Sequence, residues 1–517
     1  MREVEITISP EEASIPKQIR KKACQKAGVS SNLVTEFRIL KRSVDARRKP
    51  IVVRMLVGLS VDEPLTPAVQ SYPWKNVAAA TPVIVVGAGP AGLFASLRLL
   101  ELGYKPVILE RGKSVSDRKR DIAILNRNEG LNPDSNYCFG EGGAGTFSDG
   151  KLYTRSKKRG DVRRVLEILH IHGADESILY DSHPHIGTDR LPSIIASIRE
   201  TLINHGAEFH FGSRVEDLII QNGQVKGVVA GGEKFYGGGV ILATGHSALD
   251  VYRMLDRRQV QLQLKGFAMG VRIEHPQQLI DQIQYHTKDG RGKYLPAAEY
   301  ALVKNVNGRG VYSFCMCPGG TIVPSSTSDY ESVVNGMSNS MRNSPFANSG
   351  LVVEIRPEDL AAYSEHGEFA GIAFQQELEK SAFRYGGPGQ IAPAQRLMDF
   401  ADGKNSASLP THSYNPGLVC SPMHEWLPES IGFRLRDGLR FFGRRMKGFM
   451  TQEAIMAGVE SRTSSPIRIV RDPEKGYHPD LPGLFPAGEG AGYAGGIVSS
   501  AMDGEFAAVS LSRFLSS

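Results

Sequence analysis

A glycine-rich segment between an apolar strand and an apolar helix constrains the fold of this chain more than any other feature. The run at Val83 to Val86 is entirely apolar, as is typical of a parallel strand buried on both faces. The sequence GAGPAG follows at Gly87 to Gly92, and a helix is predicted from about Ala91 to Leu102. A second apolar run, Pro106 to Leu109, predicts another strand, which ends at Glu110. This order of elements is the context in which G-x-G-x-x-G binds a dinucleotide.

The residues of this βαβ unit have distinct predicted roles in holding a dinucleotide. Gly87 permits the tight turn, Gly89 lets backbone N–H groups reach a pyrophosphate, and Gly92 lets the helix pack closely against the strand. The helix N-terminus adds partial positive charge for the phosphates. The carboxylate of Glu110 is expected to accept hydrogen bonds from ribose hydroxyls and would repel the 2′-phosphate of NADP. The residues of this unit that we expect to contact the dinucleotide are Gly87, Gly89, Pro90, Ala91, Gly92, Glu110 and Arg111.

Three further segments favour FAD over NAD as the dinucleotide. VILATG at Val240 to Gly245 is an apolar strand followed by Thr-Gly, and it resembles the second conserved stretch of FAD proteins in the glutathione-reductase-like superfamily. GLFPAGEGAGYAGGIVSSAMDG at Gly483 to Gly504 resembles the C-terminal FAD motif of that superfamily, in which a helix N-terminus points at the flavin. GEGGAGTFSDGKL at Gly140 to Leu152, called the third glycine-rich segment below, carries glycines that would let the backbone approach the flavin closely. The four segments, in this order, predict an FAD site.

The superfamily resemblance implies a place around FAD for each of these segments. The VILATG segment would close over the cofactor from the far side of the sheet. Gly488 and Glu489 would lie near the ribityl chain and the pyrophosphate. Gly496 and Ile497 would lie at the O2 edge of the flavin, where helix N–H groups can stabilise an anionic reduced ring. The further residues that we expect to contact FAD are Gly143, Gly145, Thr146, Ser148, Val215, Ala243, Thr244, Gly245, Gly488, Glu489, Gly496 and Ile497.

Outside these four segments the chain has no further G-x-G-x-x-G sequence. Glutathione-reductase-type enzymes carry a second such unit for NAD(P)H. The chain therefore resembles the single-Rossmann flavoproteins of the fumarate reductase and aromatic hydroxylase types, in which a substrate domain is inserted between the second and the last FAD motif. If NAD(P)H serves as a transient reductant, it must bind without a dedicated domain.

A narrower resemblance covers essentially the whole chain. Its motifs are EGGAGTFSDGKL within the third glycine-rich segment, KRSVDARRKP from Lys41, HIGTDRL from His185, YSFCMCPGG from Tyr312 and GVESRTSSPIRI from Gly458. Together they are similar to a family of uncharacterised FAD-dependent proteins often labelled "NAD(FAD)-utilising dehydrogenase". The resemblance implies FAD binding and a small N-terminal domain, and it supplies no substrate.

The fold predicted from these observations is of the α/β class. A glutathione-reductase-type, Rossmann-like FAD-binding domain would begin with residues 80–265 and be completed by a C-terminal return over residues 466–517. An inserted mixed-sheet domain of the substrate-binding type would occupy residues 266–465, where strands are expected to alternate with long polar loops. Residues 1–75 would form a small basic α+β domain, and residues 62–80, which contain three prolines, a linker to the FAD-binding domain.

The basic charge of the chain is concentrated at its N-terminus. Residues 1–60 hold 13 Lys and Arg against 6 Asp and Glu, although the whole chain has a net charge of only +6. The run from Lys41 to Lys49 is expected to lie between two strands, 33–40 and 51–59. This unit could bind RNA or another polyanion, or present a solvated basic face or a docking surface for the main domain. Its only aromatic residue is Phe37, which argues against a base-stacking platform.

Four charged or polar residues near the predicted FAD motifs are candidates for catalysis. The third glycine-rich segment should place Ser148, Asp149 and Lys151 at the flavin, where Lys151 could hydrogen-bond near N5 or bind an anionic substrate. Helix capping by Ser148 or Asp149 is an equal alternative. Arg462 and its neighbours could bind a substrate carboxylate or could simply anchor a loop.

The thiols and imidazoles allow two interpretations each. Cys315 and Cys317 form a C-x-C pair that could relay electrons beside the flavin, although the disulfide ring would be strained, or they could be two buried thiols on a strand. His183 and His185 could supply a general acid or be structural.

The remaining composition narrows the class of protein. The five cysteines are sparse and indicate a reducing cytoplasm rather than a disulfide framework, and their spacing predicts no metal site. The N-terminus lacks the apolar core of a signal peptide, and no segment is apolar enough to span a membrane. We therefore expect a cytoplasmic FAD-dependent oxidoreductase that passes hydride or electrons through flavin N5 to or from a small organic substrate.

Overall fold

The structure is a computed structural model that describes residues 1–61, 69–154 and 160–517. Most of the first half of the predicted linker, residues 62–68, therefore lies outside the described residues. No helix within the described ranges is both long enough and apolar enough to cross a bilayer.

The N-terminal residues form a three-stranded antiparallel sheet with its apolar face covered by a helix. Its elements are β1 Arg2–Ile8, α1 Pro10–Ala13, α2 Pro16–Ala27, β2 Glu36–Asp45 and β3 Val52–Ser60, and β3 is the central strand. The helix α2 ends where Gly28 adopts a left-handed φ of 64°. Alternate residues of β1 and β3 are buried beneath it, which gives this sheet a core of its own.

The basic run does not lie between two strands, as the sequence predicted. Strand β2 continues through Lys41 and Arg42, and a β-bulge between Ile39 and Lys41 interrupts the alternation that would have revealed it. Arg42 is paired with Asp181 of the main body at 2.6 Å, so part of the basic charge holds the sheet against the rest of the protein. RNA binding by this unit stays a prediction.

The next region builds a parallel sheet with helices on both of its faces. Strand β4 lies at its centre, between β5 and β10. A separate antiparallel sheet of β7, β8 and β9 covers one side. The elements of this region are β4 Pro82–Val86, α3 Pro90–Leu102, β5 Lys105–Leu109, α4 Val115–Asn126, α5 Val162–Ile171, α6 Leu191–Asn204, β6 Glu208–His210, β7 Val215–Gln221, β8 Gln224–Ala230, β9 Glu233–Tyr236, β10 Val240–Leu242 and α7 Leu249–Arg257, with 3₁₀ turns at Gly143–Gly145 and Glu176–Leu179.

Residues 262–460 contribute a seven-stranded mixed sheet in the order β13-β14-β17-β12-β20-β18-β19. Its pairs are antiparallel except for β18 and β19, which run parallel. The elements of this region are β11 Leu262–Leu264, β12 Phe267–Pro276, α8 Gln277–Tyr285, β13 Val303–Val306, β14 Arg309–Cys317, β15 Gly320–Pro324, β16 Val334–Ser338, β17 Phe346–Ile355, a 3₁₀ segment Pro357–Phe369, α9 Ala370–Tyr385, β18 Ala392–Arg396, α10 Leu397–Asp402, β19 Leu418–Cys420, α11 Met423–Trp426, α12 Glu429–Arg445 and β20 Ile455–Glu460.

The sequence missed two long helices in this region, α9 and α12, where it predicted polar loops. Glycines at positions 438 and 443 lower the helix propensity of α12 and concealed its pattern. The structure shows why Gly438 is there, because a Cβ at this position would lie 2.8 Å from Cγ1 of Val311. The glycine lets α12 lie directly on the sheet.

The C-terminal residues return to the first sheet. Strands β21 Ile467–Ile469 and β22 Leu484–Pro486 are followed by α13 Ile497–Ser516, and β22 extends the parallel sheet to the order β22-β10-β4-β5-β6. Helix α13 lies against α3 so closely that a Cβ on Gly504 would be 2.0 Å from the carbonyl oxygen of Ala91. The two helices that begin at the glycine-rich segments are thus fixed against each other.

The contact of α13 with α3 leads to a prediction about Gly504→Ala. Alanine would raise helix propensity by about 1 kcal/mol at an open position, whereas overpacking of a tight contact costs about 1–3 kcal/mol. We expect the variant to have a lower free energy of unfolding in a denaturant titration. Arg513→Ala, at an exposed position of the same helix, should change it by less than about 0.5 kcal/mol. A more stable Gly504→Ala protein would show that the helices are not in contact.

Candidate functional site

A cleft of about 390 Å³ lies at the carboxyl ends of the parallel strands. Strands β4, β10 and β22 each lead into a segment with glycine there, and Glu110 directly follows β5. This edge of a parallel sheet is where α/β folds bind their ligands. The opposite wall is formed by Phe314, Cys315 and Asn335 of the seven-stranded sheet region. The cleft therefore lies between the parallel sheet and the seven-stranded sheet region.

Most residues that the sequence predicted to contact FAD line this one cleft. Gly92, Thr146 and Gly488 do not. A Cβ on Gly92 would lie 1.9 Å from the carbonyl oxygen of Gly87, so Gly92 permits the helix–strand contact beneath the cleft. Thr146 donates to the carbonyl oxygen of Glu141 at 3.0 Å. The predicted residues that line the cleft are Gly87, Gly89, Pro90, Ala91, Glu110, Arg111, Gly143, Gly145, Ser148, Val215, Ala243, Thr244, Gly245, Glu489, Gly496 and Ile497.

Glu110 organises the backbone around the cleft. Its carboxylate is buried and accepts hydrogen bonds from the backbone N–H groups of Ala88 and Gly112 at 2.9 Å and of Gly140 at 3.1 Å. These three groups belong to the β4–α3 turn, the end of β5 and the third glycine-rich segment. Glu110 thus holds three walls of the cleft together, and its contact with ribose hydroxyls stays a prediction.

Arg118 holds the backbone of the third glycine-rich segment in place. The sequence analysis did not identify this residue. Its fully buried guanidinium donates to five backbone carbonyls, including those of Asn136, Glu141 and Gly143 at 2.8–2.9 Å. Burial lowers the pKa of Arg118 to about 10, which leaves the group cationic at neutral pH. An arginine in the helix α4 carried no sequence signal for this role, because its partners are main-chain atoms.

Asp149 and Ser148 do not cap a helix. Asp149 forms a bidentate pair with Arg342, with contacts of 2.7 and 3.1 Å, and also accepts from Ser338. Ser148 donates to the carbonyl oxygen of Gly145 at 2.7 Å within a turn. Burial opposes ionisation, but Lys151 and Arg342 outweigh it and lower the pKa of Asp149 to about 2. The Asp149–Arg342 pair joins the glycine-rich segment to the second half of the chain.

Lys151 places its ammonium group at the cleft. The ammonium donates to the carbonyl oxygen of Met316 and lies 3.6 Å from the carboxylate of Asp149. Burial disfavours the charge, yet the neighbouring thiols of Cys317 and Cys315 and the carboxylate raise the pKa of Lys151 above its ordinary value. The group is therefore a fixed cation at the wall of the cleft.

The two cysteines of the C-x-C pair occupy different surroundings. Cys315 has a φ of 43° and lines the cleft, whereas Cys317 is fully buried. The adjacent Cys317 lowers the pKa of the Cys315 thiol below its ordinary value, and the cations Lys151 and Arg272 add to this effect against burial. Cys315 and burial raise the pKa of Cys317 well above its usual range. The interpretation of two buried thiols therefore fits Cys317 alone.

Arg462 is held by side chains of the protein, and its binding of a substrate carboxylate stays a prediction. Its guanidinium contacts both carboxylate oxygens of Glu379 at 2.9 Å, Glu331 at 3.1 Å and the hydroxyl of Thr327 at 2.7 Å. All three of its nitrogens are thus engaged by the protein, although the side chain borders the cleft.

The histidines of the HPH sequence lie outside the cleft lining, whereas a histidine that the sequence analysis missed is part of it. His183 pairs with Glu299, and His185 lies 3.1 Å from the carbonyl oxygen of Ser340. His246 lines the cleft with Nδ1 at 3.4 Å from Glu489, and its buried Nε2 has no partner among the described residues. The only signal for His246 was its position directly after Thr244-Gly245.

Family models match four parts of the chain. They are described as "FAD-dependent protein, C-terminal domain-like" over residues 266–463, "FAD dependent oxidoreductase" over 189–331 and "FAD binding domain" over 80–128. A domain of unknown function matches residues 1–60. These matches identify an FAD-binding, Rossmann-like flavoprotein with mixed α/β content, and FAD is its cofactor.

Two curated relatives were found by sequence. An uncharacterized protein of Clostridium beijerinckii is 38% identical over 506 residues, which cover 94% of each chain. The thiamine thiazole synthase of Aeropyrum pernix is 26% identical over 200 residues, 36% of this chain and 62% of that protein.

Two solved structures show a low similarity to this chain. A geranylgeranyl bacteriochlorophyll reductase-like protein from Thermoplasma acidophilum has 14% identity and a TM-score of 0.35, with 84% of this chain and 78% of that chain covered. The complex of CtdE with FAD has 11% identity and a TM-score of 0.32, with 84% and 88% covered.

The buried ion pair at the cleft wall leads to a prediction about Asp149→Asn. Removing one partner of a buried pair costs about 3–5 kcal/mol, so the free energy of unfolding should fall by that order. In an Arg342→Gln background the same change should cost measurably less. The folded-state pKa of Asp149 lies below its unfolded value of about 3.9, so this stability is complete above that pH and is lost as the pH falls through about 2. Equal costs in both backgrounds would contradict the pairing.

Proposed function

We propose, on the premise that this chain belongs with its Clostridium beijerinckii relative to a family of FAD-dependent proteins, that it passes electrons between FAD and a small organic substrate held in the same cleft. The single observation that supports this most is the composition of the cleft. Glycine-rich turns at the ends of parallel strands form one side, and polar groups of the other sheet region form the opposite side. A site that only stored FAD would not need the second wall.

The residues of the cleft fit FAD. Its volume lies within the range of about 300–1,000 Å³ that is common for ligand sites. A Cβ on Gly143 would lie 3.2 Å from Cα of Gly89, so the two glycines keep open a narrow passage where backbone can approach a pyrophosphate. The N-termini of α3 and α13 lie at the same cleft and favour the negative charge of phosphate or of a reduced ring. FAD, when bound, accepts or donates a hydride or single electrons at its isoalloxazine ring.

The substrate is expected on the side of the cleft that Lys151 and the strand around Cys315 form. Lys151 is held by Asp149 and by the carbonyl oxygen of Met316, so its cation has a fixed position from which to bind an anionic or carbonyl oxygen of the substrate. The unpaired Nε2 of His246 is a second polar group that a bound molecule could satisfy. The residues of this chain would thus bind and orient, while the cofactor supplies the redox chemistry.

NAD(P)H is the proposed electron donor, in line with the label "NAD(FAD)-utilising dehydrogenase". The described residues contain one parallel sheet of the Rossmann type, so the nicotinamide would have to enter the cleft directly. Anaerobic stopped-flow mixing of the FAD-loaded protein with NADH and, separately, with NADPH tests this step. Rapid bleaching of the flavin band near ~450 nm by either is expected. No bleaching by both would overturn the nicotinamide link and leave the substrate itself as the reductant.

Gly89→Ala tests whether FAD lies where the glycine-rich segments converge. The φ of Gly89 is −76°, which any residue adopts, and its Cβ would lie 3.9 Å from Cα of Gly143, so the fold should tolerate alanine. The added methyl group would point into the cleft, and we expect the affinity for FAD to fall at least about tenfold, or about 1.4 kcal/mol. Isothermal titration of the apoprotein measures the affinity, and thermal unfolding of the apoprotein should be unchanged. Gly432→Ala, in helix α12 and outside the cleft lining, is the control for FAD binding, because its Cβ would meet Leu427 only at an ordinary 3.8 Å. Unchanged affinity in Gly89→Ala would contradict this placement.

A further inference from the structure

We infer that Cys315 and Cys317 form a redox-active pair that cycles between a dithiol and a disulfide by exchanging an electron pair with FAD in the same cleft. The inference rests on the proposed function, since FAD must be able to take up or return those electrons. It extends that function, because a protein with such a pair stores two electron pairs instead of one.

The backbone at this pair departs from a regular strand. The register between β14 and β17 shifts between Phe314 and Cys317, which marks a β-bulge, and Cys315 adopts a left-handed φ of 43°. A non-glycine residue rarely adopts this conformation, and bulges recur beside functional sites. The result is that the Cys317 thiol turns back toward Cys315 and donates to its carbonyl oxygen at 3.3 Å.

Two cations stabilise a thiolate at this position. The fully buried guanidinium of Arg272 donates to the carbonyl oxygen of Cys315 at 2.7 Å and to the sulfur of Cys317 at 3.4 Å. Lys151 donates to the carbonyl oxygen of Met316, between the two cysteines. Two anions also face the pair: Glu460, which binds Arg272 at 2.7 Å, and Asp149, which lies beside Lys151. A thiolate is the nucleophilic and oxidisable form of cysteine, and positive surroundings favour it.

The two sulfurs have unequal access to the cleft, as a working pair requires. Cys315 lines the cleft and is the sulfur that a cofactor or substrate meets, whereas Cys317 is fully buried behind it and can only react with Cys315. A disulfide between residues two apart is strained, and strained disulfides are the more easily reduced ones. The geometry is thus suited to a bond that forms and breaks during turnover.

The step balances without a further reactant. The Cys315 thiolate and the Cys317 thiol form one S–S bond, and the Cys317 S–H bond breaks. The pair is oxidised by two electrons and releases one proton. The electron pair and the proton, together a hydride equivalent, pass to oxidised FAD, and the reverse reaction restores the thiols.

An anaerobic titration of the full-length, FAD-loaded protein tests the inference. The protein is first oxidised with diamide and desalted, and dithionite is then added while the flavin band is recorded. The wild type should take up about four electrons per FAD before bleaching is complete, and Cys315→Ser and Cys317→Ser about two each, since each redox couple holds two. Cys420→Ser, which alters an exposed thiol far along the sheet, is the matched control and should keep about four.

Alkylation of the wild type under denaturing conditions decides the question even if a serine variant fails to fold. Mass spectrometry should find Cys315 and Cys317 blocked in the oxidised protein and both alkylated after reduction. Two electrons per FAD together with two free thiols in the oxidised protein would overturn the dithiol and leave the proposed function intact. A protein that takes up no FAD would overturn the proposed function and, with it, the coupling of the thiols to FAD.

Discussion

The cleft depends on the buried carboxylate of Glu110 more than on any other single group. It accepts hydrogen bonds from three backbone segments: the β4–α3 turn, the end of β5 and the third glycine-rich segment. A buried carboxylate needs such partners, and the turns that provide them are fixed in return. Arg118 has the complementary role, since its cation binds the carbonyls of Gly140, Glu141 and Gly143 in the third segment. Together they fix the backbone that lines the cleft.

The second wall of the cleft is joined to the first by buried ion pairs. Arg342 links the loop after β16 to Asp149, while Arg272, which is paired with Glu460, donates to the carbonyl oxygen of Cys315 in β14. Charges buried in pairs hold their geometry because either partner alone would be costly. On this wall, Cys315 offers a reactive thiol and Lys151 a fixed cation. The proposed dithiol and the proposed substrate contact therefore both lie there.

The local parts of this design were predictable from the sequence, and the long-range parts were not. The strand and the helix on either side of Gly87 to Gly92 are predictable from apolar runs and glycines, and the structure has both within one residue of the predicted bounds. The partner of Asp149 lies 193 residues further along the chain, at Arg342. No local pattern reports such a contact, nor the bulge that separates the roles of Cys315 and Cys317. The helix α12 was missed because packing against β14 selected glycine over good helix formers.

Hydrogen exchange of the apoprotein and the FAD-reconstituted protein, measured by mass spectrometry, tests most directly that FAD lies between the two sheets. The account predicts that FAD slows exchange in residues 87–92, 140–151, 243–247 and 488–497, and also in residues 312–318 of the seven-stranded sheet. Protection in the glycine-rich segments without any change at residues 312–318 would contradict the claim that the second wall faces the cofactor. Protection in none of these segments would contradict the site itself.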